Sequence, residues 1–357
     1  MKIILYGGVA RVKVRQLENM IDGAVKRGDV PCCAAAAGVG DDLIFRYITG
    51  DRAVFPERLP LTDDTLFDLA SLTKMTATAA AALRLIDCGR LSLAASVGDY
   101  FDGCGDKGGI TVGQLMSHTS GLPAHIPLWR RVEDPSDAFA GIFNNPFFCQ
   151  TGTRAVYSCM GYVLLGRILE LTEGEPLAAL TKRLVLQPLS MKDSGFCPDK
   201  ARRFAATELD PETGRYVCGE VHDENARFLG GAAGNAGLFA TLDDLVKIAA
   251  VFSKRGDGFI SPELFELAIT DQSPLREGYG LGFTLKTEGV GFPGGDFMSK
   301  GSYGHTGFTG TSLFVDRESG VYCVMLTNRV HPSRENNKHV PLRKAFNAEI
   351  VKMKNEE

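Results

Sequence analysis

Ser71 and Lys74, in the stretch FDLASLTKMTATAAAALRL at residues 67–85, are the pair best suited to chemistry. On a helix, residues three apart share a face one turn on, so hydroxyl and amine can meet. An ammonium held there loses solvent and feels the positive end of the helix; both effects press it to release its proton and lower its pKa toward that of a general base. The serine beside it then becomes a nucleophile. The tetrapeptide alone decides nothing. With 17 serines and 16 lysines in 357 residues, chance supplies roughly 0.8 such matches, and a serine cap beside a solvated lysine explains it equally.

The elements that must position the pair follow from periodicity. Leu17, Met20, Ile21, Ala24 and Val25 recur at helical spacing and stop at Gly28 and Pro31, an amphipathic first helix. Residues 32–39 and 43–49 are short apolar runs around Gly40-Asp41-Asp42, a hairpin. The segment 74–88 is alanine-rich, helical and closed by Gly89. Further helices are expected at 111–117, 160–173, 176–184 and 241–253, the last capped by Thr241 with Leu242, Leu245, Ile248, Ala249 and Phe252 on one face. Strands return at 279–285, 310–316 and 321–327, and Pro341 opens a final helix aligning Leu342, Phe346 and Ile350. Strands at both ends around a helical middle predict an α+β fold. Its sheet lobe is built from residues 14–60 and 254–353, its mostly helical lobe is 61–253, and the site lies between them.

Four stretches in order change the weight of the Ser-x-x-Lys pattern. Residues 64–74, DTLFDLASLTK, resemble the D-T-x-F-x-x-A-S-x-T-K phrase of class C β-lactamases, D,D-peptidases and their esterase relatives. Leu115-Met116-Ser117-His118-Thr119-Ser120-Gly121-Leu122 resembles that family's L-L-x-H-T-S-G-L loop, residues 156–162 (VYSCMGY) its Y-S-N-x-G-Y segment, and Gly304-His305-Thr306-Gly307 its K-T-G or H-T-G strand. The resemblance spans residues 14–352 and implies a β-lactamase/transpeptidase-like fold, an antiparallel sheet flanked by N- and C-terminal helices with an inserted helical lobe. It also implies a metal-independent serine hydrolase that forms an acyl-enzyme at Ser71, acts on a small-molecule ester, amide or β-lactam, and uses no cofactor. The roles carried over are Tyr157 as proton partner beside Lys74, and His305 in the place of a lysine that positions a substrate carboxylate, its charge now dependent on pH. Ser71 and Phe308 would supply the oxyanion N–H groups, with Thr306 and Gly307 on the same strand segment. Residues 221–226 (VHDENA) and the glycines at 230–237 are similar to a subgroup of the family, the glycines serving close backbone packing.

Cys159 departs from the pattern. The peptidases and β-lactamases have an asparagine two residues after the tyrosine, whose amide contacts the substrate, and a thiol cannot replace it. This leans the expectation toward the ester-cleaving relatives, with β-lactamase or penicillin-binding D,D-carboxypeptidase activity as the alternative. A non-catalytic binding module on the same fold is the further alternative, which intact Ser71, Lys74 and Tyr157 oppose. His118, His222 and His305 have no metal-ligand spacing, so no metal is expected; His118 and Ser120 are read as loop-holding. A net charge of −4 offers no basic excess for nucleic acid. Nine cysteines without a C-x-x-C framework suit reduced thiols and a cytoplasmic location. The N-terminal MKIILYGGVARVKV meets arginine and lysine in place of a cleavage site, which argues against a signal peptide. No apolar run reaches membrane-spanning length.

Overall fold

The computed structural model describes residues 2–3, 8–211 and 213–356, with side chains from residue 12 onward. Most of the N-terminal apolar run weighed against a signal peptide, residues 4–7, lies outside the described residues. No described helix is long and apolar enough to cross a membrane.

The main sheet has eight strands. Its N-terminal members are β1 (Lys2–Ile3), β2 (Cys32–Val39), β3 (Asp42–Ala53) and β4 (Leu59–Pro60). Strand β5 (Phe67–Asp68) belongs to a second, three-stranded sheet with β6 (Gly195–Phe196) and β9 (Leu238–Ala240), while β7 (Leu209–Asp210) and β8 (Arg215–Tyr216) pair alone. The C-terminal members are β10 (Thr284–Leu285), β11 (Tyr303–Thr306), β12 (Ser312–Val315) and β13 (Val321–Thr327). The main order is β1-β3-β2-β13-β12-β11-β10, with β4 on β3; the central pairing, Val321 opposite Val39 through Thr327 opposite Cys33, joins the two chain ends antiparallel.

Strand β2 reads CCAAAAGV without alternation because both its faces are covered. Cys33, Ala35 and Ala37, with Phe45, Val321, Cys323 and Met325, pack under α1 (Gly8–Lys26) and α11 (His339–Asn355), which contribute Leu17, Ile21, Leu342, Phe346 and Ile350. Cys32, Ala34 and Ala36 face the opposite way, into the core shared with the central helices. Those helices are α2 (Ala80–Asp87), α3 (Val112–Met116), α4 (Leu128–Arg131), α5 (Ala138–Phe143), α6 (Cys159–Glu173), α7 (Leu177–Thr181), α8 (Glu224–Phe228), α9 (Leu242–Ser253) and α10 (Pro262–Ala268).

Three expectations need correction. The strand expected at 279–285 shrinks to Thr284–Leu285, because Gly280 and Gly282 are pressed against Ala268 O and Ala79 Cβ and not into a ladder. The helix expected from residue 74 opens as a π-helix, Lys74–Ala79, before becoming α2; a wider turn of this kind re-aims side chains and often marks a functional site. The helix expected at 176–184 is likewise α only over Leu177–Thr181 and π over Lys182–Leu186. Phe346 is fully buried between α1 and the sheet, its ring 5.6 Å from that of Phe45. Phe346→Ala is expected to lower unfolding free energy by about 3–5 kcal/mol, read as a drop in the urea midpoint at unchanged slope.

Candidate active site

The turn before Ser71 is strained and held from several sides. Ala70 has φ of 46°, the left-handed region, which costs an alanine about 1–2 kcal/mol. Buried Asp68 secures it: one carboxylate oxygen accepts from Ala70 N at 2.7 Å, the other from His222 N at 2.6 Å. From the sheet edge, Thr309 Oγ1 donates to Asp68 O at 2.7 Å and Thr311 Oγ1 to Leu69 O at 3.0 Å. Gly307 makes that approach possible, since a Cβ there would lie 2.2 Å from Leu69 O. The result presents Ser71, half-exposed, at the mouth of the π-helix.

Lys74 is fully buried and donates to Ser71 Oγ at 3.0 Å, to Asn235 O at 2.9 Å and to Cys159 Sγ at 3.5 Å. Its amine also lies 5.0 Å from the Tyr157 ring centre and 5.7 Å from that of Tyr162. Burial opposes the ammonium, but the neighbouring thiol of Cys159, phenol of Tyr157 and carboxylate of Asp223 favour it, and the balance raises Lys74 above its ordinary value. The lowered lysine expected from the sequence is therefore corrected: burial is outweighed by groups that share its proton.

Tyr157 precedes α6. Ser158 caps that helix by accepting from Gly161 N at 3.2 Å, and Ser158 N donates to His118 Nδ1 at 3.1 Å, so His118 does hold the loop. The His118 and Tyr157 rings lie 4.7 Å apart. Tyr157 Oη is buried without a hydrogen-bond partner; burial raises its phenol while Lys74 pulls it back down. Burial, then the nearby Lys74 ammonium, holds His118 well below its ordinary value.

His305 lies on β11 with its ring 5.9 Å from that of Tyr157. Its Nδ1 is 2.7 Å from Thr306 O, which fixes the proton there and leaves Nε2 a buried, unpartnered acceptor. Burial and then Lys74 pull its pKa down to about 4. His305 still changes charge with pH, but only in acid: at neutral pH it carries no charge to offer a carboxylate. Thr306 is half-buried at the strand end, and Phe308 follows Gly307 with an exposed ring. Among the described residues neither Ser71 N nor Phe308 N donates to any acceptor. Cys159 is half-buried beside Lys74.

A family model described as beta-lactamase matches residues 17–347. The chain belongs to the β-lactamase family. It is 32% identical over 303 residues to an N-acetylmuramyl-L-alanine amidase of Bacillus subtilis, covering 75% of this chain and 68% of the relative. It is 30% identical over 318 residues to a putative D-alanyl-D-alanine carboxypeptidase of Escherichia coli K12, covering 79% and 73%. The solved structure of EstCE1, a hydrolase with promiscuous acyltransferase activity, superposes with a TM-score of 0.78 over 96% of this chain and all of the other, at 20% identity, which speaks to the fold.

Within this β-lactamase-family site, several residues had no assigned role in the sequence. Asp68 was part of the matched phrase, and its function as the brace of Ala70 needs the distant His222 and Thr309. Asn235 was visible only within a glycine-rich run. Its side chain donates to Asp223 Oδ1 at 3.1 Å and its carbonyl receives Lys74. His222 does not join His305 or His118; it stacks on Phe308 at 5.7 Å and pairs with Glu208 at 3.1 Å. Arg329, almost wholly buried, donates to Phe308 O at 2.7 Å and lies 4.3 Å beneath that ring, anchoring the segment that carries Phe308 N.

A free imidazole takes its proton near 6.5, whereas folded His305 takes it only near 4. Between those values the unfolded chain binds more protons, so acid destabilises the native state and stability returns as pH rises through the window. His305→Gln should remove up to about 3 kcal/mol of the stability lost between pH 6.5 and pH 4. Urea unfolding at both pH values checks it; identical losses in variant and wild type would show that His305 is not held neutral.

Proposed function

We propose that the protein is a serine hydrolase that forms an acyl-enzyme on Ser71, in a cleft between the sheet lobe (14–60 and 254–353) and the helical lobe (61–253), and that it favours esters. The observation that carries this reading is the 3.0 Å contact between Lys74 Nζ and Ser71 Oγ, beside Tyr157 and two unengaged backbone N–H groups. Tyr157, as the phenolate that the Lys74 ammonium stabilises, accepts the Ser71 proton as Oγ bonds to the carbonyl carbon. Negative charge gathers on the carbonyl oxygen, between Ser71 N and Phe308 N. The C–O or C–N bond then breaks and Tyr157 returns the proton to the departing group. Water repeats the sequence and frees Ser71.

Two observations support the ester lean. Neutral His305 supplies no cation for a terminal carboxylate. Cys159 cannot reproduce the paired donor and acceptor of an amide. A second reading, amide hydrolysis on cell-wall fragments or lactams, is favoured by the relatives at 32% and 30% identity, an amidase and a putative carboxypeptidase, and by the family itself.

A fluorescent fluorophosphonate is expected to label wild type at Ser71 and to leave Ser71→Ala unlabelled; absence of labelling in wild type would sink the hydrolase reading. Fluorescent penicillin should label far more slowly, and efficient labelling would select the amide and lactam branch. Lys74→Ala and Tyr157→Phe should each lower ester turnover by about 10²–10⁴-fold. Cys159→Asn should speed lactam acylation if the missing amide limits it, and an unchanged rate would move the cause elsewhere.

A further inference from the structure

Asp223 sits at the head of α8, where its Oδ1 accepts from Ala226 N at 2.8 Å and from Asn235 Nδ2 at 3.1 Å. The carboxylate determines how the Asn235 amide faces, because the opposite orientation would set two oxygens against each other. That orientation leaves Asn235 Oδ1 buried and without a partner, a cost the carboxylate contact must offset. The Asn235 carbonyl then receives Lys74 Nζ at 2.9 Å.

The loop that carries Asn235 is stitched to the π-helix on both sides of Lys74. Leu238 N donates to Thr73 Oγ1 at 3.2 Å, and Thr78 Oγ1 donates to Gly234 O at 2.8 Å. Gly234 lies so close to α6 that a Cβ would fall 1.9 Å from Tyr162 O. At the other end, His222 N binds the same Asp68 carboxylate that braces Ala70. Asp223 is thus placed relative to the lysine through its neighbour in sequence and through Asn235.

We propose that Asp223 is a positioning residue for Lys74: through Asn235 its carboxylate fixes where the amine sits beside Ser71 and Tyr157. Its negative charge adds to the groups that favour the ammonium, the form that stabilises a Tyr157 phenolate. This inference rests on the proposed acyl-enzyme reading. The groups facing Lys74 are Ser71 on its own element, Cys159, Tyr157 and Tyr162 on and before α6, Asn235, and Asp223 beyond it. His118 and His305 lie near enough for its charge to disfavour theirs. Asp223 is the carboxylate in this set that acts on the amine. In the sequence Asp223 stands out only as part of the VHDENA stretch at 221–226.

The decisive variant is Asp223→Asn, which keeps a cap for α8 and removes only the charge. The alkaline limb of kcat/KM for an ester, and of the fluorophosphonate labelling rate, should move to lower pH by about one unit. A purely structural Asp223 predicts an unchanged limb, and that result overturns the proposal. Asp223→Ser, which also caps the helix, gives the same reading should the asparagine variant fold poorly. Titration of the Lys74 side chain by NMR in wild type is independent of turnover. A lysine that loses its proton below pH 7 overturns the proposal even where Ser71 labels normally. One that keeps its proton, in a protein whose Ser71 fails to label, supports the Asp223 assignment and rejects the hydrolase reading instead.

Discussion

Lys74 is wholly buried, and its amine bonds to a hydroxyl, a thiol and a carbonyl but to no carboxylate. Such a group is costly unless its surroundings supply compensating charge and dipoles. Much of the central region can be understood as that supply. Two tyrosine rings flank the amine, the Asn235 carbonyl points at it, and Asp223 adds negative charge one residue away from contact. Gly234 lets the 234–238 loop come close enough to deliver the carbonyl; with any other residue there, the Tyr162 backbone would push the loop away.

The second constraint is the backbone at Ala70. A left-handed alanine relaxes unless its neighbours are pinned, and here the pins come from different parts of the chain. Asp68 ties it to His222 in the helical region, while Thr309 and Thr311 tie it to the turn between β11 and β12. The turn before Ser71 and the strand end that carries Phe308 N are therefore bonded directly to each other. The eight-stranded sheet matters to the site because the turn between its strands β11 and β12 is what grips Leu69 O.

Much of this was legible in residue order. The ends of β2 and β13 follow from compact apolar runs, α9 from its cap and face, and the Ser71–Lys74 contact from a three-residue spacing. What escaped depends on tertiary environment. The π-turn at Lys74 has the same alanine-rich composition as a plain α-helix, and the bonds that tie Thr73 and Thr78 on either side of Lys74 to Leu238 and Gly234 come from far along the chain. Asn235 and Asp223 acquire meaning from a lysine about 150 residues earlier in the chain. A histidine in place of a lysine was visible, but its neutrality comes from burial and from Lys74, which no local pattern encodes.

Taken together, the protonation states limit what the cleft can do. With His305 neutral and its Nδ1 proton committed to Thr306 O, its buried Nε2 can only accept. A neutral acceptor beside a phenol suits a hydroxyl or an N–H and gives an anion nothing to bind. The positive charge near Ser71 then belongs to Lys74, already engaged by three partners, so a carboxylated substrate would compete with the contacts that keep the amine in place. In the proposed reaction, the negative charge that develops is met by the two backbone N–H groups, whose positions depend on Ala70 and Arg329. The balance between Lys74 and Tyr157 is thereby left free to handle the proton alone.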